Sequence, residues 1–400
     1  MAQSSRPPAL QAMSDVDRRL DAFCHEEAGA ILALLERLVA IQSGTSNKAG
    51  VDAVAALMAD ELDAVGFTVE RHRREACGDH LVARRGAEGT PPVLLVGHTD
   101  TVFPPEDHRP AFYVDGERCM GQGVIDMKGG LACLVTALRA LEATASWADG
   151  SVVVFLNSDE EVGSVDSGSL RDALGREARC ALVMECGGKG GEVVAARRGQ
   201  STLHLQVEGR ALHAGSRNPL RANAICELAH QIVALEALTD LDRGRSVNVG
   251  RVEGGIGANT LAAAAEAWVD VRYVDEEDGV ALRSEIEAIV GSPCVEGCRS
   301  TLRATGGRPA WATSPPTERM LAVVQEAARA LGRPVGVEHR WGVSDANDLA
   351  ELGVAVLDGF GPMGGKDHTP EEYCWIASLA ERSALLAATL ARILADPTLP

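Results

Sequence analysis

The stretch Pro92–Asp100, PVLLVGHTD, constrains the fold of this chain more than any other. Its run of apolar residues predicts a strand buried on both faces, which is typical of parallel sheets in α/β proteins. His98 and Asp100 follow the strand, and the strand period of two points both the same way. Ligands of such sheets gather beyond the carboxyl ends of the strands. The stretch therefore predicts an active-site edge where one of these residues binds a metal ion and the other orients the metal-binding side chain. The alternative is a surface histidine beside a turn aspartate.

Further apolar strands alternate with helical patterns over the first half of the chain. Strands are predicted at 151–156 and 180–184, and helices at 27–41, 51–65 and 130–143. Each of the two strands runs into acidic residues. Strands that alternate with helices indicate a sheet layered between helices. We therefore expect an α/β domain with a mixed sheet between helices.

The pattern changes after residue 198, and 400 residues are more than one core usually supports. Alternating strands are predicted at 201–208, 246–252, 265–274 and 300–305, with helices at 222–238 and 277–290. This order is typical of a ferredoxin-like α+β unit. A long helix and one more short apolar strand follow it. We predict a discontinuous catalytic domain, 1–198 and 311–400, and an inserted domain, 199–310.

Charge and cysteine usage exclude several classes of partner. A formal net charge of −19 argues against nucleic acid and anionic membrane surfaces, and no apolar run is long enough to span a membrane. The ten cysteines are scattered, and the close pair Cys294 and Cys298 lacks the further ligands of a zinc knuckle. Because the N-terminus also lacks the apolar core of a signal peptide, we expect reduced cysteines and a cytoplasmic protein.

Metal-binding side chains follow the predicted strands or lie at a helix entrance. They are His98, Asp100, Asp126, Glu160, Glu161, Glu185 and His368. Imidazole and carboxylate ligands without thiolates favour zinc in an open, hydrolytic site, whereas all-oxygen sets favour calcium or magnesium. With five ligands, one carboxylate can bridge two ions about 3.5–4 Å apart, and such a pair both generates hydroxide and polarises a carbonyl.

The acidic run Asp159, Glu160 and Glu161 is unfavourable unless a cation lies between the carboxylates or one of them holds a proton. Glu161 is suited to bind the metal, while Glu160 takes a proton from a metal-bridging water and later gives it to the leaving nitrogen. A solvated acidic turn is the alternative. The other ligands at the strand ends favour the catalytic interpretation.

Seven motifs occur in order along roughly residues 27–395. They are LLVGHTDTVFP, GQGVIDMKGG, NSDEEVGS, ECGG, ALHAGSRNP, GGIGANT with DVRY, and SDAND with GPMGGKDHTPEEY. Together they resemble the zinc-dependent carboxypeptidase G, acetylornithine deacetylase and succinyl-diaminopimelate desuccinylase family of amidohydrolases. The resemblance implies a dizinc-peptidase catalytic domain, a ferredoxin-like lid and dimerisation domain, and a homodimer.

The resemblance also implies roles for the metal-binding side chains. Two sets of ligands would share Asp126 as a bridge: His98 with Glu185, and Glu161 with His368. Asp100 would orient His98 from behind, as a carboxylate commonly does for a metal-binding histidine. Glu160 is the implied general acid and base.

In the inserted domain, His213 resembles the histidine that polarises the scissile carbonyl, often in the neighbouring subunit's site. Asn259 and Arg272 resemble the pair that binds the substrate carboxylate, for which arginine is well suited. Gly365, with its neighbouring glycine, would let the backbone approach the substrate closely. The alternatives are a surface histidine, a solvated sheet arginine and a simple tight turn. Structural roles are expected for four further histidines: His80, His108, His204 and His339.

We therefore expect a hydrolase that cleaves the amide bond of a peptidyl or N-acyl amino acid with a free carboxylate. It would bind two zinc ions per chain, for which Co²⁺ or Mn²⁺ would substitute. In the family that the chain resembles, glutamate at the position of Glu185 implies a carboxypeptidase or deacylase, whereas aspartate is usual in aminopeptidases and dipeptidases. The ending GPMGGKDHTPEEY resembles the glutamate carboxypeptidase-like branch, which is therefore favoured. The alternative is an N-acyl-amino-acid deacylase such as acetylornithine deacetylase or succinyl-diaminopimelate desuccinylase. A non-catalytic dimeric binding protein would lack a ligand, and none is missing. A magnesium phosphohydrolase is disfavoured by the two histidines and by the lack of a phosphate cradle.

Overall fold

A computed structural model describes residues 13–87, 89–107 and 112–399 of the protein, so that His108 lies outside the described residues. The chain divides into two compact units. Unit 1 comprises the chain up to Ala196, Thr313–His339 and Ser344–Pro400, and unit 2 comprises Arg197–Ala312 and Arg340–Val343. The predicted domain divisions were 198/199 and 310/311.

Ten helices lie within the described residues, and those that the sequence predicts end close to their predicted limits. They are α1 (Asp15–Glu26), α2 (Ala28–Val39), α3 (Lys48–Asp63), α4 (Lys128–Ala143), α5 (Gly168–Glu177), α6 (Ala224–Glu236), α7 (Glu276–Val290), α8 (Pro315–Ala330), α9 (Asp345–Glu351) and α10 (Ile376–Ala395), with a 3₁₀ turn at Glu160–Val162. Side chains of Ser14, Asn47 and Asp275 accept hydrogen bonds from the first turns of α1, α3 and α7. None of the described helices is long and apolar enough to cross a membrane.

The strands are numbered in chain order. They are β1 (Thr68–His72), β2 (His80–Arg85), β3 (Val93–His98), β4 (Tyr113–Asp115), β5 (Arg118–Met120), β6 (Val152–Asn157), β7 (Cys180–Val183), β8 (Val193–Arg197), β9 (Gly199–Glu208), β10 (Leu212–His213), β11 (Ser246–Gly254), β12 (Thr260–Leu261), β13 (Ala264–Tyr273), β14 (Arg299–Arg308), β15 (Val337–Arg340), β16 (Ala355–Leu357), β17 (Gly364–Gly365) and β18 (Tyr373–Trp375).

The main sheet of unit 1 has the order β1-β2-β6-β3-β7-β16. The four strands from β6 to β16 run parallel, and β2 pairs antiparallel with both β1 and β6. Every residue of β3 and β6 is buried. Val93 and Leu95 join the large core that α1, α2, α4 and α10 share, while Leu94 and Val96 are buried on the opposite face. The predicted α/β domain with a mixed sheet between helices is confirmed.

The start of α4 packs directly onto the backbone beyond β7. A Cβ atom at Gly130 would lie 2.0 Å from the carbonyl oxygen of Met184, so only glycine allows this approach. The close packing brings the segment before α4, which contains Asp126, next to Glu185.

A small sheet of order β17-β18-β5-β4 lies in the same unit. At Gly364 an added Cβ would lie 2.0 Å from the Tyr373 carbonyl oxygen, whereas at Gly365 the nearest atom would be 3.4 Å away. Glycine is therefore required at position 364 for the pairing of β17 with β18. The hairpin between these strands contains His368, and β5 leads into the segment of Asp126.

Unit 2 contains a four-stranded antiparallel sheet of order β11-β13-β9-β14. With α6 after β9 and α7 after β13, its chain order is the strand, helix, two strands, helix and strand of a ferredoxin-like unit. Its own core includes Leu205, Leu228, Val269 and Ile286. The lid and dimerisation roles of this unit remain predictions.

Four helices, α1, α5, α9 and α10, were not predicted. In α10 the cause is clear: most positions from Ser378 to Leu394 are buried, so the helix has no single apolar stripe. Its position against α1, α4 and α8 makes it part of the core of unit 1.

Candidate metal centre

Three neighbouring strands deliver candidate ligands to one edge of the main sheet. His98 is the last residue of β3, Glu185 follows β7, and Glu160 and Glu161 follow β6. Because β6, β3 and β7 are adjacent and parallel, their carboxyl ends meet at this edge.

Asp126 lies between the two histidines. Its Oδ1 is 3.1 Å from Nε2 of His98, and its Oδ2 is 3.1 Å from Nε2 of His368. Nε2 of His98 is also 3.5 Å from Oε1 of Glu185, and Nε2 of His368 is 3.6 Å from Oε2 of Glu161. Each oxygen of Asp126 thus faces one histidine, and each histidine faces one glutamate.

Asp100 supports both His98 and the acidic turn. Nδ1 of His98 is 3.0 Å from the backbone oxygen of Asp100 and 3.3 Å from its carboxylate. The same carboxylate accepts hydrogen bonds from the backbone N–H groups of Glu160 and Glu161, each at 3.3 Å, and from the Thr45 hydroxyl at 2.7 Å. Asp100 is fully buried, so these donors supply the polar partners that its carboxylate needs.

Glu372 holds the backbone of the Asp126 segment, and sequence reasoning did not identify it. Its Oε1 accepts hydrogen bonds from the N–H groups of Ile125 at 2.8 Å and Asp126 at 3.1 Å, and its Oε2 accepts one from Gly123 at 2.9 Å. Burial raises the pKa of Glu372 to about 7. Nothing in the local sequence distinguishes this residue from the exposed Glu371 beside it, because its partners lie about 250 residues away in the chain.

The backbone of His368 has a φ of 60°, which non-glycine residues seldom adopt. Lys366 in the same hairpin has the same φ, and its carbonyl oxygen accepts hydrogen bonds from the N–H and hydroxyl groups of Thr369. Unusual backbone conformations of this kind are concentrated at functional sites. Here the turn directs the His368 imidazole towards Asp126.

The carboxyl groups of the cluster shift each other's pKa. Burial raises the pKa of Glu161 well above its ordinary value and also raises that of Glu185, and the Asp126 carboxylate adds to both rises. Burial would raise the pKa of Asp126 too, but hydrogen bonds from the two histidines lower it. Buried acids that repel each other in this way are relieved by a cation.

The histidines respond in the opposite sense. Burial disfavours a charged His98, yet hydrogen bonds to Asp100, Asp126 and Glu185 raise its pKa well above the ordinary value. The hydrogen bond to Asp126 raises the pKa of His368. Without another cation, these imidazoles take up protons to balance the acids.

The cluster fits a metal ion on two further grounds. Oε1 of Glu161 is buried and has no hydrogen-bond partner in the described part of the chain, whereas buried oxygens normally have one. Ligand atoms of His98, Asp126 and Glu161 lie within 4.8 Å of one another, as do those of His98, Glu160 and Glu185. Two imidazoles among carboxylates are a donor set that zinc favours. Glu160 is therefore close to the candidate ligands in space as well as in sequence.

In unit 2, His213 and Asn259 lie on one short ribbon. β10 pairs with β12, so that His213 is opposite Thr260, the neighbour of Asn259. Both side chains are exposed, and Nδ1 of His213 accepts a hydrogen bond from the N–H of Gly215. The backbone oxygen of Asn259 accepts one from Ala214 at 2.8 Å.

Arg272 lies near the C-terminal end of β13, whereas Asn259 precedes the start of that strand. Arg272 lies eight positions after Ala264 at the start of that strand, which corresponds to roughly 26 Å. Its Nε donates to Oδ1 of Asp270 at 2.8 Å, and its Nη1 donates to the backbone oxygen of Trp341 at 3.2 Å. Arg272 is thus an ordered, partly exposed cation, and the structure does not bring it together with Asn259 in unit 2.

A family model, described as peptidase family M20/M25/M40, matches residues 94–392. The chain belongs to this peptidase family. The matched range begins inside β3, ends inside α10 and includes all the candidate metal ligands. Family membership confirms the predicted resemblance and the prediction that the chain is a hydrolase.

Individual relatives are similar over most of their length. The chain is 29% identical to carboxypeptidase G2 of Pseudomonas sp. (strain RS-16) over 371 residues, which cover 90% of this chain and 89% of the relative. It is 31% identical to succinyl-diaminopimelate desuccinylase of Methylobacterium sp. (strain 4-46), with 88% and 93% covered. A solved tripeptidase from Staphylococcus aureus has the same fold, with a TM-score of 0.75 at 20% identity, over 92% of this chain and 99% of that chain.

Proposed function

We propose that this protein uses two zinc ions per chain to hydrolyse the amide bond of a peptidyl or N-acyl amino acid whose carboxylate is free. The position of Asp126 carries this proposal, because its two oxygens face two separate histidine and glutamate pairs. A carboxylate in that position can bridge two ions. Co²⁺ or Mn²⁺ would substitute for zinc, since both accept imidazole and carboxylate ligands.

His98 and Glu185 would hold one ion, and Glu161 and His368 the other. When bound, the ions would polarise the scissile carbonyl and lower the pKa of the attacking water. Asp100 keeps the His98 ring in place through its contacts with Nδ1.

Glu160 acts as the general base and then as the general acid. Its carboxylate takes a proton from the attacking water and later gives it to the leaving nitrogen, so the proton balance closes within one turnover. Two features support this role: its ligand atom is within 4.8 Å of those of His98 and Glu185, and the bond from its backbone N–H to Asp100 fixes the turn.

In unit 2, His213 would stabilise the negative charge that develops on the carbonyl oxygen, and Asn259 and Arg272 would bind the substrate carboxylate. Asn259 precedes β13 and Arg272 is near its end, so one small carboxylate is too short to reach both within a single unit 2. We therefore propose a homodimer formed through unit 2, in which His213 and Asn259 of one protomer and Arg272 of its partner serve the same substrate.

The glutamate carboxypeptidase-like activity is the first candidate, and the similarity to carboxypeptidase G2 over 90% of the chain supports it. The N-acyl-amino-acid deacylase is the second candidate, because a succinyl-diaminopimelate desuccinylase is similar at 31% identity. Both reactions hydrolyse an amide whose amino-acid portion has a carboxylate. They differ in the groups on either side of the bond.

A hydrolysis screen with zinc added tests this proposal. Peptidyl and N-acyl amino acids, acetylornithine and succinyl-diaminopimelate are compared, each beside a matched substrate whose carboxylate is amidated. We expect release of glutamate or aspartate above other amino acids, and little turnover of the amidated substrates. Preference for acetylornithine or succinyl-diaminopimelate would replace the first candidate with the second. Equal turnover of amidated substrates would contradict the carboxylate requirement.

A further inference from the structure

A second cluster of metal-binding side chains lies in unit 1, outside the metal centre. It consists of Cys77, His80 and Asp166, whose ligand atoms lie within 4.8 Å of one another. Of the candidate clusters that the described residues form, this one shares no residue with the metal centre. His80 is fully buried, Cys77 is partly exposed, and the side chain of Asp166 is 43% exposed.

Hydrogen bonds around His80 leave its two ring nitrogens facing oxygen atoms. The Ser158 hydroxyl is 2.5 Å from the backbone oxygen of Gly78, to which it donates its single proton. Ser158 Oγ, 3.1 Å from Nδ1 of His80, is therefore the acceptor of the Nδ1 proton. In a neutral ring Nε2 then has a lone pair, and it faces Oδ1 of Asp166 at 3.0 Å. A lone pair facing a carboxylate at that distance is unfavourable, and either a proton or a metal ion between the two atoms relieves it.

The donor set is suited to one class of cation. Thiolate, imidazole and carboxylate together are typical zinc ligands, and cobalt(II) occupies such sites as a substitute. Ser158 behind Nδ1 is a hydrogen-bond partner of the kind that orients a metal-binding histidine. Burial raises the pKa of the Cys77 thiol and a hydrogen bond with Ser158 lowers it, while the nearby carboxylates of Asp166 and Asp159 raise it further.

Arg74 is the competitor for this position. Its Nε forms an ion pair with Oδ1 of Asp166, the same oxygen that faces His80. The Arg74 side chain is 31% exposed, which leaves it room to move into solvent. A bound cation would compete with this guanidinium for Asp166.

We propose that Cys77, His80 and Asp166 bind a third divalent cation of the zinc class. Cys77 and His80 come from the segment that enters β2, and Asp166 from the loop that follows the 3₁₀ turn of Glu160. The cation would join these two segments directly behind the turn. Its role is structural, since none of its three ligands belongs to the metal centre.

Cobalt loading separates this site from the metal centre. Metal-free protein is titrated with Co²⁺ while its near-ultraviolet spectrum is recorded. A thiolate ligand gives a charge-transfer band that histidine and carboxylate ligands lack. We expect this band and three ions per chain in the unmodified protein, and no band and two ions in Cys77→Ser. Cys298→Ser, which changes a partly exposed cysteine of unit 2, is the matched control and keeps the band.

The same titration can contradict the proposed cation site. Absence of the band from the unmodified protein, or its survival in Cys77→Ser, would overturn the proposal and leave His80 as an imidazolium paired with Asp166. Arg74→Gln keeps all three ligands and removes the competing charge, so it is expected to tighten cobalt binding at this band; weaker or unchanged binding would also count against the site. These spectra do not depend on hydrolysis and stand apart from the proposed function.

Discussion

Glu372→Gln tests how the Asp126 segment is held. The carboxylate accepts three backbone hydrogen bonds, two on Oε1 and one on Oε2. A glutamine oxygen can keep the bonds from Ile125 and Asp126, but the amide nitrogen then faces the N–H of Gly123, donor against donor. One buried N–H thus loses its acceptor, which costs about 1–3 kcal/mol. The neutral amide avoids burying a charge, which offsets part of this cost at mildly alkaline pH, where the wild-type carboxyl is ionised, so metal affinity is the deciding measurement.

Glu372→Gln should also lower the affinity of the metal centre for zinc. Because the segment positions Asp126 between the two histidines, we expect zinc binding to weaken about 10–100-fold, the usual loss when the support behind a ligand is removed. Urea unfolding of metal-free protein measures the stability change, and competition with a coloured chelator measures the affinity. Glu371→Gln changes the exposed neighbour and is the control. Wild-type affinity in Glu372→Gln would refute the proposed support of Asp126.

Asp126→Ala removes the carboxylate between the two histidines, and metal analysis after dialysis should show that the ions are lost together with activity; two retained ions would contradict the bridge. Arg272→Lys loses the planar guanidinium that matches a carboxylate, so KM should rise about 10–100-fold with little change in kcat. The control is Arg303→Lys, at an exposed position of the same sheet, which should leave both KM and kcat unchanged. Asp17→Asn removes the charge of a side chain that is 3% exposed and puts an amide nitrogen in place of one of the two oxygens that accept from Arg392, which should cost about 1.5–3 kcal/mol at neutral pH. Burial opposes ionisation of Asp17, but the Arg392 hydrogen bond prevails and lowers the pKa of Asp17 below 3.8. The ion pair therefore stabilises the folded state above pH 3.8, and this stabilisation disappears as the pH falls through the lowered pKa. The exposed Asp15→Asn is the control, and a gap between Asp17→Asn and wild type that persists in acid would be the contrary result.

The strand-end ligands were predictable because their signal is local. An apolar run such as that of β3 predicts a buried strand, and a parallel sheet gathers the ends of its strands at one edge. His98, Glu161 and Glu185 therefore meet in space for reasons visible in the sequence. Their metal-binding roles remain a proposal.

Residues that support the centre carry no such signal. Thr45 reaches Asp100 across 55 residues of chain, and Glu372 reaches the backbone of Asp126 across 246. Neither contact follows from periodicity or local spacing, because each depends on how separate elements pack. The separation of Asn259, which precedes β13, from Arg272 near the end of that strand depends in the same way on the direction of one strand.

Glu160→Gln tests the central claim most directly, namely that this acid transfers the proton in an amide hydrolysis supported by two ions. Metal content and turnover are measured on the same preparation, with the best substrate from the hydrolysis screen. We predict two zinc ions in the metal centre, as in the wild type, and a loss of turnover of about 10²–10⁴-fold, the usual contribution of a positioned acid or base. Turnover close to wild type with both ions bound would contradict the assignment of Glu160.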